Sequence, residues 1–240
     1  IASIIPIINF LLVFFYLPET KPNSDSNKST TILKNPLKAL FTVFKEEKIK
    51  KLSLAFFIYF IAFTGLTNIL IFFLQESLNW TTKASSGTLV VVGIIAIIVQ
   101  GGLIGPLVKQ FGEMRLTLIG SGFILVACAL LITAPKENAT INIYSAVSFL
   151  AVGAGLITPT LRALISKKLD IDKQGSILSN LQGLQSLGGV LGIAMAGRVY
   201  DSFGPKSPFI AGSVILLFMI YLIAEGKNNN SFKNQKLKVF

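Results

Sequence analysis

The 240-residue sequence has no histidine and one cysteine, Cys128. A zinc site of the His and Cys type needs several such ligands, a Ser-His-Asp triad needs a histidine, and a single cysteine cannot close an internal disulfide. Charged residues are also scarce: they make up 14% of the chain, against about a quarter in soluble domains. These absences exclude a disulfide-stapled secreted domain and disfavour a soluble enzyme. We predict a protein that is not an enzyme and holds no metal ion and no cofactor.

The charged residues leave seven long stretches without any Asp, Glu, Lys or Arg. A helix needs about 20 apolar residues to cross the hydrocarbon core of a bilayer. The sequence therefore predicts an all-α membrane protein with one partial span and six complete ones. Because the chain begins inside an apolar run, without the charged segment that opens a signal peptide, we expect the partial span to end a helix that starts outside this sequence. The partial span covers residues 1–17, and the complete spans cover 52–75, 84–108, 116–135, 138–161, 174–197 and 207–224.

The 22 basic residues are distributed unevenly over the segments that join the spans. Segments 18–51, 109–115, 162–173 and 225–240 hold 18 of them, and the segments that alternate with these hold 4. Basic residues favour the cytoplasmic side of a membrane. We therefore expect a multi-pass protein of the cell (inner) membrane, with a cytoplasmic loop, a six-helix bundle over 52–225 and a cytoplasmic tail over 226–240. The net charge of +11 is explained by this topology, so we predict no nucleic-acid partner.

The long loop 18–51 has two parts. Residues 20–35 are polar and turn-prone, which is typical of a flexible linker. After Pro36, apolar residues fall at helical spacing beside several lysines. This pattern fits either a lipid-sensing amphipathic helix or an interfacial helix that leads into the next span. We favour the lead-in because the run is short.

Polar residues are concentrated in two of the predicted spans, 52–75 and 174–197, whereas 116–135 and 207–224 are mostly aliphatic. Polar side chains gain nothing against lipid, so they should face other helices or an aqueous cavity. We expect the polar spans to line a cavity and the apolar ones to face lipid. The neutral lining predicts a hydrophobic or weakly polar substrate, although hydrogen bonds between helices explain the same residues equally well. The candidate substrate-binding residues are Tyr59, Thr64, Asn68, Asn180, Gln182 and Gln185.

No acidic residue lies inside a predicted span, and Arg162 lies at the inner end of the span 138–161. Arg162 has two interpretations: it neutralises an anionic substrate, or its long side chain extends to the lipid headgroups. We favour the second. If transport is coupled to protons, the carboxylate that carries them is expected outside this sequence.

Small residues predict where helices approach one another. Gly101 and Gly105 form one small-residue pair, and Gly188, Gly192 and Ala196 form a ladder, on which two helices can pack backbone to backbone. A second group, Gly153, Gly155 and Pro159, is expected to loosen the span 138–161, since proline removes a helical hydrogen bond.

The segment 105–115, GPLVKQFGEMR, resembles the GxLaDrxGrr loop motif of the major facilitator superfamily. Gly105, Leu107, Gly112 and Arg115 match, whereas Lys109 and Gln110 depart from it, as is typical of the degenerate copy between spans eight and nine. The segment 17–20, LPET, resembles the acidic motif that closes span six. The segment 153–165, followed by Gln174 and Gly175, is similar to spans ten and eleven of drug:proton antiporters, tetracycline efflux proteins in particular.

The resemblance implies a carrier of 12 spans, in which this chain is the C-terminal six-helix bundle plus the end of span six. The partner is then the N-terminal six-helix half, and the substrate site lies between the halves. The expected function is proton-coupled efflux of a small lipophilic compound by alternating access, with antibiotic resistance as a consequence. Uptake or exchange of a nutrient is the alternative, and a non-transporting scaffold or channel is the alternative of another class. The residues expected to control conformation are Gly105, Gly112, Arg115, Pro159 and Gly175.

Overall fold

The structure, a computed structural model, describes residues 10–13, 15, 40–135 and 139–236. Residue 172 and residues 226–236 are described by their backbone alone. Several predictions lie outside the described residues. They concern most of the partial span 1–17, the LPET motif, the linker 20–35 and the start of the helical pattern after Pro36. Two compact units are separated, Ile1–Asn35 and Pro36–Phe240. In the first unit, residues 10–13 and 15 are helical and exposed.

Six long helices make up the second unit, and the described part of the chain contains no strand. In chain order they are α1 (Lys50–Ser77), α2 (Thr82–Phe111), α3 (Glu113–Thr133), α4 (Thr140–Ser166), α5 (Ile171–Phe203) and α6 (Ser207–Lys236). Two segments wind as π-helix: Phe73–Ser77 at the end of α1 and Val99–Leu103 within α2. Each predicted complete span lies largely within one of these helices.

Five of the six helices are long and apolar enough to cross a membrane: α1, α2, α3, α4 and the part of α6 over Ser207–Glu225. The sixth, α5, is 33 residues long but carries the asparagine, glutamines and serines that made 174–197 the most polar of the predicted spans. The chain is therefore an all-α membrane protein, as the sequence predicted.

Local residue chemistry explains several helix ends. Thr81 caps α2, since its hydroxyl accepts a hydrogen bond from the Ala84 N–H at 3.3 Å. Gly112 separates α2 from α3 with φ at +75°, and Gly204 ends α5 with φ at +90°. Side chains disfavour positive φ, so glycine suits both positions.

The predicted small-residue ladder of α5 packs against α1. A Cβ atom added to Gly192 would lie 2.2 Å from the Ile61 carbonyl oxygen, and one added to Gly65 would lie 2.7 Å from the Gly192 carbonyl oxygen. Gly188 and Ala196, one turn to either side, also lie at this contact. The two backbones touch along this line, and the ladder prediction is confirmed.

A second close pair joins α3 and α4. A Cβ atom on Gly153 would lie 2.6 Å from the Gly120 carbonyl oxygen, so Gly153 allows a tight helix contact, and the loosening of this helix around Pro159 stays a prediction. α4 is continuous through Pro159. Conversely, Cβ atoms on Gly101 and Gly105 would meet no described atom within 4 Å, and the predicted close approach at this pair is wrong for the part of the chain that the structure describes.

Residues 40–49, which we term the lead-in segment, pack against α5. Val43 and Ile49 are fully buried, and Leu40 fills the space that a side chain on Gly183 would occupy, with its Cδ2 atom 2.1 Å from an added Cβ. Lys173 pairs with Glu46 at 3.1 Å. The lead-in segment therefore rests on the bundle through its apolar residues, in keeping with a short lead-in to α1.

Candidate substrate site

Polar side chains of α4 and α5 meet at Arg162. This arginine lies one turn before the end of α4 and is half-buried. Its Nη2 donates a hydrogen bond of 2.7 Å to Gln182 Oε1 and a second, short one to Gln185 Oε1. Since Gln182 and Gln185 are one turn apart on α5, both amide oxygens reach the same guanidinium. The structure thus brings together two of the predicted substrate residues through a third residue that the prediction had left out.

The partners of Arg162 on α5 lie at about its own depth in the bundle. Arg162 Cζ lies 5.9 Å from the centre of the Phe56 ring of α1, and Gly188 of α5, three residues after Gln185, packs against Phe57 and Phe60 of α1. Gln182 and Gln185 therefore hold the side chain between α4 and α5. Both interpretations of Arg162, as a substrate contact and as a side chain that extends to the headgroups, stay predictions.

The surroundings of Arg162 contain an aromatic face but no counter-charge. Its Cζ atom lies 5.9 Å from the centre of the Phe56 ring on α1, within the range of a cation–π interaction. The Nε atom is buried and has no hydrogen-bond partner among the described residues. None of the ion pairs in the described part of the chain involves Arg162.

One helical turn further into α4, Tyr59 of α1 is fully buried and its Oη lies 3.3 Å from Thr158 Oγ1. The Tyr59 ring stacks on Phe63, with ring centres 5.5 Å apart and planes 14° from parallel. This predicted substrate residue therefore joins α1 to α4 through its hydroxyl, and its phenol ring is covered by aromatic neighbours.

The remaining predicted residues occupy separate positions. Asn68 is exposed, and its amide donates to the Thr64 carbonyl of its own helix at 2.9 Å. The Thr64 side chain lies against Gly189 of α5. Asn180 donates to Thr42 Oγ1 of the lead-in segment at 3.1 Å. Asn68 and Thr64 are thus two candidates joined by a hydrogen bond within one helix, and the hydrogen bonds of the described residues do not connect all six candidates into one cluster.

Several polar side chains are exposed in the middle of the predicted spans. Asn68 on α1, Gln100 on α2, and Gln182 and Ser186 on α5 are all exposed. In a bilayer, such groups are expensive against hydrocarbon and are found facing protein or water. Because these side chains are exposed here, we expect the parts of the bundle that carry them to face water or protein rather than lipid.

The residues of the loop motif lie at the junction of α2 and α3. Gly112 provides the turn by its positive φ, while Gly105 is exposed without a close neighbour among the described atoms. Arg115 is exposed. The adjacent Glu113 forms an ion pair with Lys167 at the end of α4, which ties the loop to the α4–α5 connection.

Gly175, near the start of α5, is exposed, and a Cβ atom added there would meet nothing within 4 Å among the described atoms. The position of Gly175 is accordingly open, while its neighbours Lys173 and Gln174 bond to Glu46 and to the Ser166 carbonyl group. In the part of the chain that the structure describes, no group of three His, Cys, Asp or Glu side chains gathers in a way that could hold a metal ion.

Sequence reasoning missed Thr158 and Phe56. Thr158 precedes Pro159 in a run that gave no polar signal, and Phe56 is one of several phenylalanines in its span. Arg162 had a signal, since it is a charged residue at the end of a predicted span, but the sequence did not show which residues its side chain contacts.

Comparison with known proteins supports the resemblance. The chain is 28% identical over 211 residues to Tetracycline resistance protein, class D, of Salmonella ordonez, which covers 84% of this chain and 49% of that protein. It is 24% identical over 245 residues to Major facilitator superfamily domain-containing protein 10 of Mus musculus, covering 93% and 52%, and 20% identical over 251 residues to Hippocampus abundant transcript-like protein 1 of Homo sapiens, covering 93% and 49%.

The chain spans from about a third to about half of the length of the curated relatives that it matches. The sequence model of the Major Facilitator Superfamily matches residues 1–193, most of the chain. Together with the all-α membrane fold, this match shows that the chain belongs to the major facilitator superfamily, a family of transporters.

Proposed function

We propose that the chain is part of a secondary active transporter that expels a small lipophilic compound in exchange for protons. The observation that carries this proposal is the exposed polar face on α1, α2 and α5, with Asn68, Gln100 and Gln182 in the middle of predicted spans. A face of this kind suits an aqueous cavity or a second bundle better than lipid. The tetracycline resistance proteins among the relatives support efflux as the direction.

The exposed face also supports the proposal that this chain is the C-terminal half of a carrier of 12 spans. The partner bundle would then cover the face, and the substrate would bind between the two. In this arrangement α1, α2, α4 and α5 line the cavity and α3 and α6 face lipid. The loops rich in lysine and arginine, including 18–51 and 162–173, face the cytoplasm of the cell in which the carrier resides.

Alternating access in this carrier would come from rocking of one bundle against the other. Within the C-terminal bundle, the backbone contacts of α1 with α5 and of α3 with α4 bind helices tightly, which suits movement as a rigid body. Tyr59, Thr64, Asn68, Asn180, Gln182 and Gln185 are the proposed contacts for substrate. The carboxylate that exchanges protons is proposed to lie in the other half.

The test is tetracycline accumulation in cells that produce the intact carrier, compared with cells that carry the empty vector. We expect lower accumulation with the carrier, and we expect a proton-gradient uncoupler to raise accumulation to the level of the vector cells. Reduced accumulation that an uncoupler leaves unchanged would exclude proton coupling. Raised accumulation with the carrier would instead indicate uptake.

A further inference from the structure

The Arg162 cluster, which we define as Phe56, Arg162, Gln182 and Gln185, contains a positive charge with neutral partners. The two glutamine oxygens accept hydrogen bonds from one terminal nitrogen of the guanidinium, and the Phe56 ring lies 5.9 Å from Cζ. Such contacts orient a guanidinium but do not neutralise it. A cation in a membrane protein interior is costly unless an anion accompanies it.

The Nε–H of Arg162 is buried and has no acceptor among the described residues, and a buried donor without an acceptor costs free energy. The hydrogen bond from Nη2 to Gln182 is exposed, so a ligand can approach the terminal nitrogens of the guanidinium there. A guanidinium matches a carboxylate with two parallel hydrogen bonds.

We propose that the Arg162 cluster binds the acidic group of a lipophilic organic anion such as an aromatic carboxylate. This inference rests on the proposed transport function and narrows its substrate class, because the neutral lining alone predicted a hydrophobic or weakly polar compound. The carboxylate accepts hydrogen bonds from Arg162, and the apolar part of the ligand contacts half-buried aromatic residues of α1 such as Phe63. The glutamines hold the guanidinium between α4 and α5.

The binding test uses the intact carrier in phosphatidylcholine vesicles, with naphthoate and its neutral amide, naphthamide, as matched probes. Arg162→Gln is expected to weaken naphthoate binding by about tenfold or more, the scale of a charge-assisted hydrogen bond, and to leave naphthamide binding unchanged. Arg162→Lys retains the charge and should keep part of the preference for naphthoate. Lys168→Gln is the control, because it removes a positive charge at the same end of α4 outside the cluster.

Equal binding of naphthoate and naphthamide to the unaltered carrier would overturn the inference. An equal loss of naphthoate and naphthamide binding in Arg162→Gln would also overturn it, because it would show that Arg162 has a structural role. If Arg162→Gln does not reach the membrane folded, the double variant Gln182→Ala and Gln185→Ala removes the residues that orient Arg162. It should weaken naphthoate binding more than naphthamide binding, and equal effects would contradict the proposal.

Two further measurements extend this test. One distinguishes a lipid headgroup from a substrate as the source of the anion, and the other distinguishes failure of this inference from failure of the proposed function. Displacement of naphthoate by phosphatidylglycerol included in the vesicles would assign the cluster to a lipid headgroup and overturn its role with substrate. Naphthoate binding that depends on Arg162 in a carrier without uncoupler-sensitive efflux would refute the proposed function and leave this inference standing. Uncoupler-sensitive efflux by a carrier that does not prefer naphthoate to naphthamide would refute this inference and leave the proposed function standing.

Discussion

Glycine residues determine how closely the helices of this bundle approach. At Gly192, the α5 backbone meets the Ile61 carbonyl group, and an added Cβ atom would overlap it at 2.2 Å. The atom that it would meet is main chain, so no side-chain rotation can relieve the overlap. At Gly197, five residues on, an added Cβ atom would meet nothing within 4 Å among the described atoms.

We therefore expect Gly192→Ala to separate α1 from α5 and to lower stability by about 2 kcal/mol or more, as overpacking does in other cores. Gly197→Ala is the matched control, since it makes the same substitution on the same helix at an open position. The apparent melting temperature of the purified carrier in detergent measures both. Equal melting temperatures for the two variants would show that the backbone contact is absent.

The same residues show what the sequence could and could not predict. The spacing of Gly188, Gly192 and Ala196 predicted a smooth stripe on α5, and α1 packs there. Gly101 and Gly105 have similar spacing but no close neighbour among the described atoms. The spacing of small residues shows that a helix surface lacks side chains, but it does not show whether another helix packs there. Arg162 could be located near a span end, but only the position of α5 determined where its side chain goes.

At the scale of elements, charge-free stretches predicted the helices well, because the helix ends lie in or near the charged segments that separate those stretches. How far each helix extends was harder to predict. α5 runs to Phe203, beyond the predicted span 174–197, because polar residues continue a helix as readily as apolar ones do. The contact of the lead-in segment with α5 could not be predicted, since it depends on the space above Gly183.

The space beside Gly183, which Leu40 fills, leads to a prediction for the lead-in segment. Gly183→Leu should displace Leu40 and release the lead-in segment from α5, because both side chains require the same volume. Released backbone is cleaved faster, so trypsin should cut at Lys45 and Lys48 sooner than in the unaltered carrier.

Leu40→Ala provides the rescue for this experiment. Combined with Gly183→Leu, it vacates the contested volume and should return the cleavage rate toward that of the unaltered protein. Cleavage rates that are the same in all three proteins would mean that Leu40 does not hold the segment on α5.

At the scale of the whole molecule, the exposed position of Gly175 at the start of α5 is a candidate contact with the proposed other half of the carrier. Family resemblance implies that an acidic residue of the first loop motif docks at this helix N-terminus, where unpaired N–H groups favour negative charge. Gly175 lies there, exposed, with no described atom near an added Cβ. A large side chain at this position would therefore fit the present chain and obstruct only a partner.

Gly175→Trp is accordingly expected to reduce transport severalfold while leaving the melting temperature of the carrier unchanged. The reason is that the variant blocks docking of the other bundle and disturbs no packing within this one. Transport rates in proteoliposomes, together with melting temperatures, distinguish the two effects. Unchanged transport would show that this end of α5 is not a docking point, and a lower melting temperature would point to a role within the bundle.

Alternating access is the central claim, and thiol labelling from each side of the membrane tests it most directly. Cys128 is buried, and Cys128→Ala removes the one thiol of this chain; cysteines elsewhere in the carrier are replaced in the same way. Single variants Asn68→Cys and Gln182→Cys then probe the parts of the exposed face that are proposed to lie toward the outside and toward the cytoplasm. Val214→Cys probes α6, where that side chain is exposed on a helix expected to face lipid.

The measurement is the rate of reaction with a membrane-impermeant maleimide, with and without a proton gradient. We expect the gradient to change the rates at positions 68 and 182 in opposite directions, while position 214 stays unreactive from both sides. Rates at 68 and 182 that rise and fall together, or that ignore the gradient, would contradict alternating access and favour a channel or a scaffold.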